Sequence, residues 1–510
     1  MPVNRPSVQI VWFKRDLRTA DHLPLIEAAR RGPVLPLYII EPSLINAPDF
    51  DSIHWSFIRE SLVDLRQSLA RLGQPLVVRV GEVLAVLADL AREFDLTIWS
   101  HEETGNWRTY QRDREVRRWT RQSGIGQHEL PANGVVRRLA SRNDWARIWE
   151  ERIGVPVLPA PQRLDPLFPL VDPGNIPTHK ELGLPPDRRI VAIQRGGERI
   201  AGEVLRSFLD QRGIGYRGGI SSPLTAEQAC SRFSPYLAWG NLSTRQVMAA
   251  LRQRMRDASP RWAASLRAFE SRLHWRCHFM QKLEDEPQIE FRNFVRAYDG
   301  LRENEFDETL FAAWQRGETG YPMIDASLRM LMATGWLNFR MRSMVVAFAS
   351  YDLWLHWQRP AHWLARQFLD YEPGIHYPQF QMQSGTAGHA TVRLYNPVKQ
   401  GLDHDPTGEF VRRWIPALRS VPTSFVHAPW LLPPEQQESL GCLIGKDYPT
   451  PIVDHQEVAR QARARIALVR RDPRLVEEVA EVFARHGSRR RAGGAVATRR
   501  SRNDSQLSLF

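Results

Sequence analysis

One segment of the chain combines an aromatic side chain with several cations. Trp275 lies in SRLHWRCHFMQK, with Arg272, Arg276 and Lys282 around it. A tryptophan flanked by cations can stack on an extruded base while the cations bind the neighbouring phosphates. Because a helical tryptophan is also a common core residue, the segment alone leaves base stacking and packing both open.

A second candidate group lies at a predicted junction between a loop and a helix. It consists of Ser231, Arg232, Phe233 and Ser234. Free backbone N–H groups at the start of a helix, together with hydroxyls, can hold phosphates. An ordinary helix cap is the alternative interpretation.

Arg342 and Asp370 are a third candidate group, because the two residues could form a buried ion pair. Burying two charges costs free energy, so a pair of this kind usually serves a purpose such as binding a ligand. A purely structural salt bridge is the alternative.

The composition limits the classes of protein to which the chain can belong. The 510 residues are 43% hydrophobic and 25% charged, as in folded globular domains. Three cysteines are too few for a disulfide framework or a four-thiolate cluster, so no metal is predicted. No apolar run approaches the roughly 20 residues of a membrane span, and the N-terminus is too charged for a signal peptide. We therefore expect a cytoplasmic protein.

The charge is positive and is carried almost entirely by arginine. The formal net charge is +12, and only five of the 69 basic residues are lysine. The planar guanidinium suits phosphate recognition, and 17 tryptophans favour a binding surface or a redox function. High-GC coding also enriches arginine, so the charge alone is a weak argument for a nucleic-acid partner.

The elements that must position these residues change character along the chain. Between residues 7 and 131, five short apolar runs, such as Val34–Ile40, alternate with helical patterns, such as Ser56–Leu72. This alternation predicts a parallel, doubly wound, Rossmann-like α/β domain. No GxGxxG follows the first strand, so the usual dinucleotide fingerprint is absent there. From residue 203 onward the pattern is helical, for example at Met341–Trp357, and it predicts an all-α domain.

These patterns predict four parts of the chain: an α/β domain at 1–131, a proline-rich linker at 132–202, a helical domain at 203–484, and a disordered basic tail at 485–510. The tail ends in an apolar patch of the kind that docks to partners. The patch consists of Gln506, Leu507, Ser508, Leu509 and Phe510.

Six motifs, in matching order, resemble those of the photolyase/cryptochrome family. They are WFKRDLR (12–18), CSRFSPYLAWGNLSTRQ (230–246), TGYPMIDASLRML (319–331), GWLNFRMRSMVVAF (335–348), LYNPVKQG (394–401) and FVRRWIPAL (410–418). Each motif alone is weak evidence, but six in order over about residues 8–430 are strong evidence. The resemblance implies an antenna-type α/β domain followed by a helical domain that binds FAD.

The resemblance also implies roles for the cofactor-binding residues. The element Ser231–Ser234 would grip the pyrophosphate of FAD, with Tyr216 as a further contact. Arg342 and Asp370 would border the isoalloxazine ring, and Glu372 would hydrogen-bond the ribose or the ring edge.

For a nucleic-acid substrate, the resemblance implies that Trp275 stacks on a pyrimidine dimer and that Gln400 lies on the DNA-facing side. Arg272, Arg276 and Lys282 would then bind DNA. Two positions depart from the family. Arg272 stands where class I dimer photolyases have a glutamate, and Phe339 replaces an asparagine.

The electron relay of the family is only partly recognisable. Trp357 matches one of its three tryptophans, and Tyr377, Trp354 and Trp363 form a hypothetical substitute chain. His376 is a candidate proton-relay residue, with a hydrogen-bonded interior histidine as the alternative.

Two stretches, DYEPGIHYPQFQMQSG and SRLHWRCHFMQKLEDEP, most resemble iron–sulfur bacterial cryptochromes and photolyases. Those proteins have four cysteine ligands late in the helical domain, where this chain has only Cys442, so the cluster is predicted to be absent. An antenna chromophore, whether folate, deazaflavin or flavin, cannot be identified from the sequence.

The leading functional prediction is FAD-dependent, light-driven repair of cyclobutane pyrimidine dimers, with damaged DNA as the partner and a nucleoid-associated location. A blue-light photoreceptor without repair activity is the alternative. The terminal QLSLF resembles the QL[SD]LF peptide that binds the bacterial replicative sliding clamp, which is therefore a predicted second partner.

Overall fold

The computed structural model describes residues 5–167, 171–189, 194–388 and 393–487. The terminal residues Gln506–Phe510, predicted to bind a partner, lie outside these ranges. Within the described ranges, no helix is both long enough and apolar enough to cross a bilayer.

In the described part of the chain, the N-terminal region contains one five-stranded parallel sheet. Its strand order is β3-β2-β1-β4-β5, which is that of a doubly wound fold and confirms the predicted fold class. The strands are β1 (Ser7–Phe13), β2 (Val34–Ile40), β3 (Val77–Val80), β4 (Asp95–His101) and β5 (Gly126–Leu130). The inner strands are buried on both faces, which explains their nearly continuous apolar sequences.

Helices connect the strands and cover both faces of the sheet. They are α1 (Leu23–Ala29), α2 (Pro42–Ile45), α3 (Ser52–Arg71), α4 (Val83–Glu93) and α5 (Trp107–Ser123). A further helix, α6 (Trp145–Gly154), lies within the segment predicted to be a linker. Trp145, Trp149 and Ile153 are buried, so this part of the segment packs into a core and is not an irregular connector.

Beyond α6, the elements of the described residues are helices joined by loops, as predicted. The helices are α7 (Glu198–Asp210), α8 (Tyr216–Gly219), α9 (Pro223–Ala229), α10 (Ser234–Ala238), α11 (Thr244–Arg256), α12 (Pro260–Asp285), α13 (Glu308–Arg316), α14 (Pro322–Thr334), α15 (Phe339–Ala347), α16 (Gln358–Gln367), α17 (Pro373–Ser384), α18 (Pro397–His404), α19 (Glu409–Trp414), α20 (Pro434–Ser439), α21 (His455–Val469) and α22 (Pro473–His486).

In the helical region, the structure departs from the sequence predictions at α15 and at α22. The helix predicted at Met341–Trp357 is interrupted, because α15 ends at Ala347 and a single π-helical turn, Phe348–Asp352, follows. Trp357 is instead the residue that precedes α16. Helix α22 continues to His486, two residues into the segment predicted to be a disordered tail.

The carboxyl ends of the strands meet the helical region. Leu17, just after β1, donates its backbone N–H to the carbonyl of Trp239 (3.2 Å). Arg15 donates to the carbonyls of Ala238 (2.9 Å) and Tyr371 (2.6 Å). The edge of a parallel sheet at which ligands usually bind is therefore joined to the helical region.

Candidate functional site

A cavity of about 370 Å³ lies within the helical region, between α12 on one side and α15 and α17 on the other. Twelve residues predicted to form the site line it: Tyr216, Ser231, Arg232, Phe233, Ser234, Arg272, Trp275, Arg276, Arg342, Asp370, Glu372 and His376. Chain folding thus brings together groups that are up to 160 positions apart in the sequence. The three other predicted residues that the structure describes, Lys282, Gln400 and Trp357, do not line it.

Arg232 is a buried cation without an anion among the described residues. Its guanidinium stacks on the ring of Trp336, with the carbon 3.8 Å from the ring centroid, and Nη1 and Nη2 have no hydrogen-bond partner in the described ranges. Burial lowers the pKa of Arg232 to about 10. A buried charged donor is costly unless it is paired, so this arrangement fits a phosphate group of a bound ligand.

Arg342 and Asp370 form the expected ion pair. Arg342 Nη2 donates to Asp370 Oδ2 at 2.8 Å, and its guanidinium lies 4.0 Å from the ring centroid of Phe368. Burial acts to raise the pKa of Asp370, but the charge of Arg342 and the hydrogen bonds that the carboxylate accepts together outweigh it, so the pKa is lowered. The second carboxylate oxygen, Oδ1, is buried and has no partner among the described residues, so it can accept a hydrogen bond from a ligand.

Glu372 lies between two arginines at the cavity wall. Arg276 donates to its carboxylate at 2.9 Å and to the carbonyl of Leu237 at 2.9 Å, while Arg15 approaches to 3.8 Å. The sequence analysis predicts that Arg276 binds DNA phosphates, but in the structure its guanidinium is engaged in this largely buried pair.

Trp275 and Phe339 are aromatic residues of the cavity lining, on α12 and α15. Trp275 is half-buried and packs against Phe279 (5.5 Å between centroids), whereas 41% of Phe339 is exposed. Arg272 lies one turn before Trp275, and burial lowers its pKa. The site therefore has an aromatic and cationic lining at positions where the family resemblance led us to expect glutamate and asparagine.

The prediction that Lys282 binds DNA is wrong. The residue is only 2% exposed, and its Nζ lies 4.9 Å from the ring centroid of Phe279 and 5.9 Å from that of Phe294. Burial lowers its pKa to about 7. An ammonium group enclosed by aromatic rings cannot reach a DNA phosphate.

Trp357 and Gln400 lie away from the cavity wall. Trp357 is buried, donates its Nε1 to Asn293 Oδ1 (2.7 Å), and has its ring 6.4 Å from that of Tyr377. Gln400 is half-buried on α18.

His376 is a half-buried residue of the cavity wall. Its Nε2 donates to the carbonyl of Ala361 at 2.9 Å, and burial lowers its pKa to about 4. Its ring therefore lies at the cavity in the neutral form at physiological pH.

Sequence reasoning missed several polar residues of the cavity. The side-chain oxygens of Asn338, Gln379 and Gln383 are buried without partners among the described residues. Together with Asp370 Oδ1, they can accept hydrogen bonds from a polar heterocycle. The sequence could have indicated these three residues, because they lie within the stretches GWLNFRMRSMVVAF and DYEPGIHYPQFQMQSG that resemble the family.

A smaller cavity of about 120 Å³ lies at the carboxyl end of the sheet. Its walls include the rings of Trp12, Trp55 and Tyr371. Arg112 on its polar side is already paired with Glu41 and Glu103, both at 2.8 Å. Tyr371 contributes to both cavities, which are therefore neighbours.

Comparison with known proteins agrees with this architecture. Residues 9–144 match the family model described as DNA photolyase, and residues 269–468 match the FAD binding domain of DNA photolyase. The chain is 31% identical to cryptochrome DASH of Gloeobacter violaceus, over 87% of this chain and 93% of that protein. It is 30% identical to a deoxyribodipyrimidine photo-lyase of Agrobacterium fabrum, over 91% and 98% respectively.

The fold also matches a solved structure. An archaeal photolyase from Sulfolobus tokodaii with two FAD molecules superposes with a TM-score of 0.75 and 25% identity, covering 90% of this chain and 100% of that one. The match to an FAD-binding domain, together with the large polar and aromatic cavity of the helical domain, identifies an FAD-binding protein. The chain belongs to the photolyase/cryptochrome family. The resemblance to its iron–sulfur subgroup remains a prediction.

Proposed function

We propose that the protein carries out FAD-dependent, light-driven repair of cyclobutane pyrimidine dimers in DNA. The observation that carries the proposal is that Trp275 and the unpaired cation Arg232 line the same cavity. A base stacked on Trp275 would therefore lie in the pocket that also holds the cofactor. The similarity to photolyases supports this assignment.

FAD supplies the chemistry, which is transfer of an electron to the dimer on absorption of light. The protein binds and orients the cofactor. The buried guanidinium of Arg232 would neutralise the pyrophosphate, since its free N–H groups match phosphate oxygens. Arg342 and Asp370 would hydrogen-bond the flavin ring, and the apolar walls would exclude water from it.

The lesion site would be formed by Trp275 and Phe339. The two aromatic rings offer stacking faces for a dimer that has been extruded from the duplex, as other base-flipping proteins do. Arg272, which stands in the position of the family's glutamate, would donate hydrogen bonds to the base carbonyls or to a phosphate. Gln400 would contact the neighbouring DNA strand, and the basic protein would associate with the nucleoid.

A second chromophore would occupy the smaller cavity. At about 120 Å³ this cavity suits the ring system of a folate, deazaflavin or flavin better than a whole dinucleotide. Its proximity to the flavin cavity through Tyr371 favours a light-harvesting role. A second absorption band that is lost in a Trp55→Ala variant, with FAD retained, would support this assignment.

The terminal QLSLF would bind the replicative sliding clamp. Deletion of Gln506–Phe510 should abolish clamp binding in a pull-down assay without altering the flavin content. Retained binding would contradict this partner.

A photoreceptor without repair activity is the second candidate function. It is favoured by Arg272 and Phe339, which remove two polar groups expected of a dimer photolyase, and by the similarity to a cryptochrome. An assay with chemically reduced protein and a thymine-dimer oligonucleotide under blue light separates the two. Restoration of thymine absorbance supports repair, and flavin photochemistry without restoration supports the photoreceptor.

A further inference from the structure

Two phenols and a carboxylate form a buried cluster beside the flavin cavity. Tyr371 Oη donates to Asp49 Oδ2 at 2.7 Å, and Tyr377 Oη lies 3.3 Å from Tyr371 Oη. Asn106 Nδ2 also donates to Asp49 Oδ2, at 2.8 Å. Tyr371 and Asp49 are each 7% exposed and Tyr377 is 1% exposed, so the cluster is shielded from bulk water.

The cluster joins the two halves of the molecule at the cofactor site. Asp49 precedes α3 in the N-terminal region, whereas Tyr371 stands between the cavity residues Asp370 and Glu372. A carboxylate of the α/β region therefore accepts a hydrogen bond from a phenol at the wall of the flavin cavity.

Ring contacts lead from this cluster toward Trp357. The Tyr377 ring lies 6.4 Å from that of Trp357 and 5.4 Å from that of His376, and His376 is 5.3 Å from Tyr371. These separations are those of ordinary aromatic neighbours, so the rings form a continuous path from Trp357 to the cavity.

The other candidate tryptophans are less suitable as electron donors. Trp354 lies between two guanidinium groups, with the Arg302 carbon 4.4 Å and the Arg465 carbon 4.9 Å from its ring centroid. A positive charge on that ring would be repelled by both cations. Among the described residues, the ring of Trp363 packs against that of Trp314, with 5.1 Å between centroids, and Trp363 does not line the flavin cavity.

We infer that Tyr371 is a proton-coupled electron donor to the flavin, with Asp49 as its proton acceptor. This inference rests on the proposed flavin photochemistry. When bound oxidised FAD absorbs light, Tyr371 would give up one electron, its phenolic O–H bond would break, and the proton would move to Asp49 Oδ2. Tyr371 would become a neutral phenoxyl radical and Asp49 would become protonated, while FAD would accept the electron. A thiol reductant, or Trp357 through Tyr377, then returns an electron to the phenoxyl oxygen, and Asp49 returns the proton.

The buried surroundings of Tyr371 require that its proton leave together with its electron. Burial, together with the charge of Asp49, raises the pKa of Tyr371 well above its usual value, so the phenol is fully protonated before it is oxidised. Loss of an electron makes a phenol strongly acidic, and a buried phenol can release its proton only to a group that it already contacts. Asp49 Oδ2 is that group.

The test uses the FAD-containing protein in its oxidised form. Blue-light illumination followed by freezing should give the electron paramagnetic resonance spectrum of a phenoxyl radical, which should narrow when the protein contains ring-deuterated tyrosine. Asp49→Asn retains the hydrogen-bond acceptor but cannot take the proton. It should lower the photoreduction rate by about a hundredfold, the low end of what positioned proton transfer contributes. Tyr371→Phe should abolish the radical.

The matched control is another buried pair of the same type. Tyr448 Oη donates to Asp325 Oδ2 at 2.6 Å, and neither residue lines the flavin cavity. Tyr448→Phe should lower stability without changing the photoreduction rate or the radical signal. If Asp49→Asn does not retain FAD, the photoreduction rate and the radical signal of Tyr371→Phe test the inference without it.

Unchanged photoreduction in Asp49→Asn and Tyr371→Phe would overturn the inference. So would a radical that lacks the tyrosine isotope effect. Failure of the proposed repair function is detected separately, as failure of the chemically reduced, unmodified protein to repair a dimer oligonucleotide, because that assay does not need photoreduction.

Discussion

The guanidinium of Arg232 stacks on the ring of Trp336 at 3.8 Å, and its two terminal nitrogens have no hydrogen-bond partner among the described residues. The stacking fixes the plane of the cation and directs its edge into the cavity. A preorganised, unpaired cation is destabilising in the free protein and favourable once an anion binds.

Replacing Arg232 with methionine should therefore stabilise the apoprotein but weaken FAD binding. The apoprotein should become more stable, by about 1 to 3 kcal/mol, because an uncompensated buried charge is removed. FAD affinity should fall at least about tenfold, because hydrogen bonds to a charged group contribute about 1.5 to 3 kcal/mol. Thermal unfolding of the apoprotein and flavin titration measure the two effects.

Arg302 provides the matched control for that experiment. It is also buried, burial likewise lowers its pKa to about 10, and its Nε and Nη2 lack partners in the described ranges. It does not line the cavity. Arg302→Met should stabilise the apoprotein without weakening FAD binding. Equal loss of FAD in both variants would contradict the assigned role of Arg232.

Lys282→Met should stabilise the protein in a pH-dependent manner. The pKa of Lys282 is lowered from its usual 10.5 to about 7, so the unfolded chain binds more protons between these values. The cost of burying the lysine is therefore complete below pH 7 and disappears above about pH 10.5. Urea unfolding should show a gain of roughly 2 to 4 kcal/mol at pH 6 and little gain at pH 10. DNA affinity should not change, whereas a reduced affinity would reinstate Lys282 as a DNA contact.

Trp275→Ala should weaken binding of a dimer-containing oligonucleotide by about 1 to 3 kcal/mol, since that is the usual contribution of a stacked base. Affinity for undamaged DNA should change little, and FAD content should be retained. Trp275→Phe keeps a stacking face and should recover most of the affinity. If the alanine variant discriminates the lesion as well as the parent protein does, Trp275 is a packing residue.

Repair should not depend on the titration of His376. Its pKa of about 4 leaves the ring neutral from about pH 5.5 upward, and its Nε2 is already donated to Ala361. Across this pH range, the repair rate of the reduced protein should therefore show no inflection caused by His376. An inflection near pH 6.5 that is lost in His376→Gln would show that the histidine titrates during repair.

The sheet was predictable because parallel strands are buried on both faces. Val34–Ile40 is a continuous apolar run, and its observed bounds are those predicted. Helix α3 begins four residues earlier than predicted, because Asp51 and His54 form a capping box that apolar periodicity does not reveal.

The error at Lys282 has a specific geometric cause. It lies seven positions after Trp275 on α12, and therefore on nearly the same helix face. That face changes environment along the helix. Near Trp275 it borders the cavity, but beyond Phe279 it is covered by Phe294 and lies close to His278 and Arg142. Local spacing cannot report such a change, because the covering groups come from distant parts of the chain.

Contacts among the residues that line the cavity were likewise not predictable from local sequence patterns. The motifs placed Arg232, Arg342 and Asp370 at one site, but they did not reveal that Arg276 pairs with Glu372, nor that Asp49 reaches across from the α/β region to Tyr371. These contacts depend on how the two regions dock, which no local sequence pattern encodes.

The measurement that tests the central claim most directly is repair by the reduced protein under blue light. The purified protein should show a flavin absorption spectrum, and illumination with a thymine-dimer oligonucleotide should restore thymine absorbance over many turnovers. Bound flavin without any restoration would contradict the proposed repair function and would leave the photoreceptor as the function of this site.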